Sequence, residues 1–223
     1  MKIRKCLSVT YRVRLRLAAL GACALLVQGC ATVPPGPLPP LPPAERELVL
    51  AKLQSWSAEG RAAVQVGNDG NSVGFQWQRD NGAEVLRMTD PLGRTVLLLS
   101  QDAQGAYAKF ADGYEVRGSD MAALLAQRSP LPLPLEGLSY WLRGQPEPGQ
   151  PAAVTHDAEG RPATLRQGDW EVRYQDYTPV EGVYMPARLL VSGPNQVTVK
   201  VLVRRWDLRF AAPLPTAAAR PNG

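Results

Sequence analysis

From Ala58 to Leu208 apolar and polar residues alternate in short runs. A period of two sends successive side chains to opposite faces of a strand. Over 58–66, Ala62, Val64 and Val66 share one face; over 72–79, Val73, Phe75 and Trp77 share one face with Gln76 and Gln78 opposite. Further runs cover 83–89, 94–101, 105–110 and 114–117, divided by Asn81-Gly82, Pro91-Leu92-Gly93 and Asp112-Gly113 turns. Five more runs, over 152–156, 163–167, 169–175, 184–191 and 196–208, bring the strand count to about eleven. The period lengthens at three places. Residues 44–56 predict an amphipathic helix with Leu48/Val49, Leu53 and Trp56 on one stripe. Residues 120–127 predict a second helix with Ser119 as N-cap, and 135–142 a third, carrying Leu138, Trp141 and Leu142. Many short strands joined by hairpin turns predict an antiparallel meander curled toward a barrel. The helices would cover an open mouth or edge. Nothing reads as a βαβ unit.

The first 29 residues have a different pattern. Lys2, Arg4, Lys5, Arg12, Arg14 and Arg16 carry charge with no acid to oppose them, and an apolar run from Leu17 to Gly29 ends at Cys30. A charged segment, an apolar stretch and a small residue before the cut describe a secretory signal. The stretch is shorter than the roughly 20 apolar residues of a membrane-spanning helix. Val27-Gln28-Gly29-Cys30 has the form of a lipobox, with cleavage and lipidation at Cys30. A rival box at Leu20-Gly21-Ala22-Cys23 leaves only Leu17 to Ala22 as apolar core, below the ~7-residue minimum. An ordinary cleaved signal would leave a lone thiol in an oxidising compartment, an awkward outcome. Cys6 and Cys23 depart with the signal, and lipid on Cys30 accounts for the one cysteine that stays. An Asp after the lipidated cysteine commonly marks retention in the inner membrane in enterobacteria. Ala31 therefore predicts an anchor in the outer membrane, facing the periplasm.

Residues 30–43 comprise the lipidated cysteine and a proline-rich tether, ATVPPGPLPPLPP after Cys30. Such a segment forms a stiff spacer of about 3.1 Å per residue. Residues 44–210 predict one folded domain, and the Pro/Ala-rich 211–223 a disordered tail. The net charge of +5 belongs to the signal: removing its six basic residues leaves 19 Lys and Arg against 20 Asp and Glu, a balance of −1. No basic field argues for nucleic acid. The single histidine, His156, sits in a polar run, and no transition-metal site has ligands enough. No GxSxG elbow and no GxxxxGK[ST] loop is present. The residues predict no enzyme and no cofactor beyond the covalent lipid.

Several segments in order resemble the LolB family of outer-membrane lipoproteins. They are Trp56-Ser-Ala-Glu-Gly-Arg-Ala-Ala-Val64, Phe75-Gln-Trp-Gln78, Thr89-Asp-Pro-Leu-Gly93, and Leu133-Pro-Leu near Tyr140-Trp-Leu-Arg-Gly144. Asp169-Trp-Glu-Val-Arg-Tyr174, Met185-Pro186 and the closing run from Val197 to Trp206 complete the set. The likeness runs from about Leu48 to Leu208; the long proline spacer and Pro/Ala tail depart from the family. The resemblance implies a curved, incompletely closed antiparallel β-barrel with a helical lid over an apolar cavity. It implies a monomer that receives acylated lipoproteins from the periplasmic carrier LolA and inserts them into the inner leaflet of the outer membrane, with phospholipid as its other partner.

For a cavity of that kind the apolar faces offer Val64, Phe75, Trp77, Leu86, Met88, Leu97, Leu99, Leu138, Trp141, Leu142 and Val199 as lining. Periodicity leaves open whether any of them lines a cavity or packs a solid core. Leu92 stands in Asp90-Pro91-Leu92-Gly93, with Pro and Gly at their favoured turn positions. From the residues alone it either folds back on its hairpin or projects. The resemblance implies a protruding apolar residue there that helps deliver cargo into the bilayer. Two other classes compete with this reading. A scaffolding lipoprotein bound to a protein or peptidoglycan needs only a solid core, and a lipid-anchored hydrolase would depend on His156.

Overall fold

The computed structural model describes residues 41–128 and 133–211. The expected signal over 1–29, the lipidation residue Cys30, the tether up to Pro40 and the tail beyond Ala211 lie outside the described residues.

Helix α1 (Pro43–Leu50) leads into β1 (Leu53–Val66), β2 (Asp69–Asp80), β3 (Ala83–Thr89), β4 (Thr95–Asp102), β5 (Gly105–Phe110) and β6 (Glu115–Gly118). Helices α2 (Met121–Ala126) and α3 (Leu135–Trp141) interrupt the strands. Then come β7 (Ala152–His156), β8 (Pro162–Gln167), β9 (Trp170–Val180), β10 (Val183–Ser192), a 3-10 turn (Pro194–Gln196) and β11 (Val197–Phe210). The eleven strands form one antiparallel sheet in the order β6-β5-β4-β3-β2-β1-β11-β10-β9-β8-β7. The first and last strands pair at its centre, from Leu53↔Phe210 to Val66↔Val197. Among the described residues the sheet does not close: β6 and β7 are its two edges, and the chain between them carries α2 and α3.

Tight hairpins set the register. Asn81 and Gly82 both have positive φ, 48° and 91°, and so do Glu181 and Gly182, 46° and 82°. Positive φ at both central residues is the signature of the turn whose twist matches the strands on either side. A bulge at Glu59/Gly60 lets two residues of β11, Arg204 and its neighbour, oppose one step of β1, which bends the strand. The backbones approach closely there: a Cβ on Gly60 would lie 2.0 Å from the Leu202 carbonyl oxygen.

The inner face of the sheet is apolar. Trp56 of β1 packs between Trp77 of β2 and Trp206 of β11, with ring centroids 6.0 and 5.9 Å apart. Val172, Val183, Met185, Leu189 and Val191 fill the β9–β10 half.

The expected helix over 44–56 ends at Leu50, and residues 53–56 are strand. A run that fits a helical stripe is overruled by pairing on both sides, because Trp56 faces Leu208 on β11 and Arg79 on β2. The N-cap of α2 is Asp120, not Ser119: its carboxylate accepts from the Ala122 and Ala123 amides at 2.7 and 3.2 Å. β9 runs on to Val180, well past the expected end near 175, through its pairing with β10.

Candidate functional site

Helix α3 lies across the inner face of β1, β2, β3 and β11 and leaves an apolar cavity of about 50 Å³ beneath it. Spacing dictates the contact: Leu135, Leu138 and Leu142 recur at three and four residues and face the sheet. The sheet contributes Ala62 and Val64, then Val73, Phe75 and Trp77, then Leu86 and Met88, and finally Val199 and Val201. Leu133, just before α3, closes the wall. The lining holds one polar atom capable of donating, the Trp77 Nε1, and it is spent on the Glu84 carboxylate at 2.6 Å. A space of this size takes a few waters, whereas pockets that enclose a small ligand hold about 300–1,000 Å³.

Eight of the eleven expected lining residues meet here: Val64, Phe75, Trp77, Leu86, Met88, Leu138, Leu142 and Val199. Leu97, Leu99 and Trp141 do not line the cavity. Leu99 is fully buried on β4 between Leu86 of β3 and Ala108 of β5, and Leu97 is buried two residues away on the same face. The Trp141 ring points off toward Trp170, centroids 6.1 Å apart. Ala62 and Val73 were legible as members of the same alternating faces. Val201 shares the alternating face of Val199 in the same way, whereas Leu133 and Leu135 carried no separate signal.

The two ends of α3 are held differently. At its C-terminal end the Tyr174 hydroxyl of β9 donates to the Trp141 carbonyl at 2.9 Å, and Trp141 Nε1 donates to Gln167 Oε1 of β8 at 2.9 Å. Arg46 of α1, only 4 % exposed, donates from Nη2 to the Arg143 carbonyl at 2.6 Å and from Nη1 to the Gly144 carbonyl at 3.3 Å. A cation there complements the negative end of the helix dipole. Burial lowers the Arg46 pKa. Arg143 is also buried, its guanidinium 4.8 Å from the Tyr140 ring centre and 5.7 Å from that of Trp56. Burial, with the charge of Arg79 adding to it, lowers its pKa to about 10, so it stays charged at neutral pH. At the N-terminal end no side chain among the described residues caps the helix, and Leu133, Leu135 and Leu138 meet the sheet through apolar contact. Neither arginine stands out in the sequence, since a basic residue on an amphipathic helix or just past a helix end reads as solvated.

The second feature is the β3–β4 turn. The Gly93 amide donates to the Asp90 carbonyl at 2.9 Å, and Gly93 takes φ +83°. Asp90 Oδ1 accepts from the Leu92 and Arg94 amides, both at 2.9 Å, and Oδ2 from Arg94 Nε at 2.7 Å. Partial burial raises the Asp90 pKa, but these hydrogen bonds and the Arg94 charge outweigh it and hold the carboxyl below its ordinary value. With its backbone held this way, Leu92 is 79 % exposed and does not fold back on its hairpin. The lowered pKa means the turn's extra stability is present above the ordinary carboxylate range and is lost as pH falls through the depressed value. Asp90→Ala should speed hydrogen exchange at the Leu92 and Arg94 amides by about fivefold with no change in global melting. Unchanged exchange would show that the turn holds itself. His156 is exposed on the edge strand β7.

Comparison with known proteins agrees with this architecture. The family described as Outer membrane lipoprotein LolB matches residues 54–206. A relative named Outer-membrane lipoprotein LolB from Alkalilimnicola ehrlichii is 30 % identical over 195 residues, 86 % of this chain and 97 % of its own length. One of the same name from Marinomonas sp. is 27 % identical, covering 87 % and 98 %. Among solved structures, a LolA superfamily protein from Nitrosomonas europaea shares the fold at 11 % identity, with a TM-score of 0.51 and coverage of 81 % and 98 %. The family match takes in both the cavity-lining strands and the Leu92 turn, and the chain belongs to the LolB family.

Proposed function

We propose that this protein is an outer-membrane lipoprotein receptor that takes acylated lipoproteins from the periplasmic carrier LolA and inserts them into the inner leaflet of the outer membrane. The observation that carries the reading is the apolar cavity under α3, on the inner face of a sheet left open between β6 and β7. Exposing acyl chains to water costs about 0.8 kcal/mol per methylene, tens of kcal/mol for a triacylated protein, so a receptor must enclose them. A cavity of about 50 Å³ is the closed state. Cargo enters as α3 lifts from its uncapped N-terminal end while Tyr174, Gln167 and Arg46 retain its C-terminal end. With no nucleotide consumed, transfer runs downhill, the receptor binding cargo more tightly than the carrier and less tightly than the bilayer. Leu92, projecting from the β3–β4 turn, meets the lipid surface during release.

Transfer of a labelled lipoprotein from LolA to the purified protein, followed by pull-down, tests the reading, and retention of all cargo on LolA would end it. Lipid on Cys30 supplies the anchor. Cys30→Ala should leave the membrane fraction while still accepting cargo in vitro, and a variant that stays membrane-bound would remove Cys30 from the account.

A further inference from the structure

We propose that a groove of arginines beside the Leu92 turn is a headgroup site that binds the phosphate of anionic phospholipid as the turn meets the bilayer. The groove lies on the outer face of the sheet, opposite the apolar cavity, and is an open recess of about 620 Å³, within the size range that takes a small ligand. Its inference rests on the reading of Leu92 as the residue that enters lipid. The two neighbours of Leu92, Pro91 and Gly93, form part of its wall.

Three exposed arginines converge on it from three strands: Arg61 of β1, Arg87 of β3 and Arg204 of β11. The strand register explains the convergence. Arg61 faces Gly74 on β2, and Gly74 faces Thr89 on β3. At that row β2 offers no side chain, although Ser72 and Gln76 of the same strand line the groove on either side, and Thr89 Oγ1 takes the space, 2.6 Å from where a Gly74 Cβ would sit. Gly74 and Thr89 together line the groove between the arginines. Arg204 is brought to the rim by the bulge opposite Glu59/Gly60.

The charges do not cancel locally. Arg61, Arg87 and Arg204 have no carboxylate partner among the described residues. The two acids of the wall are already engaged, Asp90 by Arg94 at 2.7 Å and Glu59 by Arg205 at 3.3 Å. Counting each such pair as neutral leaves three positive charges facing one recess. Arg87 Nη1 donates to Thr95 Oγ1 at 3.2 Å, which holds that guanidinium toward the turn. Planar guanidinium groups match phosphate oxygens two at a time, and the rest of residues 30–223 carries 16 Lys and Arg (19 − 3) against 20 Asp and Glu, so the positive recess stands on an otherwise acidic chain. An anionic headgroup seated here would set the depth and tilt at which Leu92 enters.

The test places a reporter at the turn. The sequence has three cysteines, all at or before Cys30, so Leu92→Cys in the lipidated protein carries one free thiol for an environment-sensitive bimane. The labelled protein is anchored in vesicles of phosphatidylglycerol with phosphatidylethanolamine, or of phosphatidylcholine alone. The expected result is a blue shift in the phosphatidylglycerol vesicles that high salt weakens. The ratio of docked to free turn should fall by about fivefold for each arginine replaced in Arg61→Gln, Arg87→Gln and Arg204→Gln, singly and combined. An Arg166→Gln/Arg173→Gln double variant, which removes two cations elsewhere on the sheet, should keep the shift. A shift equal in both vesicle types and in the triple variant overturns the groove while leaving the Leu92 reading intact. Equal loss in the double variant overturns it too, because net charge would then be the cause. No shift in any vesicle removes the Leu92 reading and the groove with it. Unchanged thermal melting of the variants excludes unfolding as the origin of a loss.

Discussion

Leu92→Glu should leave uptake of cargo from LolA nearly unchanged and slow delivery into outer-membrane vesicles by at least roughly thirtyfold. The factor follows from the side chain alone. Burying one leucine in an apolar medium is worth about 2 kcal/mol, a factor of about 30 in an equilibrium or rate, and a carboxylate adds a further penalty for entering the interface. Folding should not suffer. The side chain is 79 % exposed and the turn is built from the Asp90 carboxylate and backbone amides, none of which glutamate removes. Leu48→Glu is the control, since Leu48 on α1 is 67 % exposed and stands outside the turn. A wild-type insertion rate in Leu92→Glu would reduce Leu92 to a turn residue. Equal slowing in Leu48→Glu would show a general effect of surface charge.

The strands were legible because their signal is local. β3, β5 and β7 fall on the expected 83–89, 105–110 and 152–156, where alternation is bounded by Asn-Gly, Asp-Gly or Pro on at least one side. The helix–strand boundary near Leu50 was not, because Leu53 and Trp56 satisfy a stripe of period 3.6 as well as an alternation. Only pairing with β11 and β2, distant in sequence for β11, decides between them. The site divides in the same way. Alternation identifies the inner face of each strand, so Phe75, Trp77, Leu86 and Met88 could be named. It is silent on which columns of that face lie under α3, so Leu97 and Leu99, one strand further out, were placed with them although they pack in solid core. Arg46 was invisible for a further reason: its worth comes from the carbonyls of Arg143 and Gly144, nearly a hundred residues away. The arginine groove needs three strands and a bulge in register.

The distinction between cavity and core gives the second large effect. Leu138→Asp should abolish binding of a fluorescent fatty acid while the domain still melts cooperatively near the wild-type temperature. Leu138 sits on α3 with its side chain against the cavity. A carboxylate there either enters the acyl pocket, where an unpaired charge is expensive, or swings α3 outward from its uncapped end. In both cases the lost apolar contact and the charge together lower probe affinity by roughly a hundredfold or more. The sheet itself keeps its hydrogen bonds and its β9–β10 core, so stability changes little. Leu99→Ala should behave in the opposite way. Leu99 has no exposed surface and lies between Leu86 and Ala108, so truncation leaves a void that costs about 2–5 kcal/mol. For a domain of this size that is a fall in melting temperature of about 5–20 °C. Probe binding below the transition should persist, because the residue does not reach the cavity. The pair separates the two readings of the apolar face. If Leu138→Asp unfolds the domain as Leu99→Ala weakens it, α3 is part of one solid core and the protein cannot open to take an acyl chain. If probe binding vanishes in Leu138→Asp with the fold intact, α3 is a movable cover, and the scaffold alternative, which needs no such cover, is excluded.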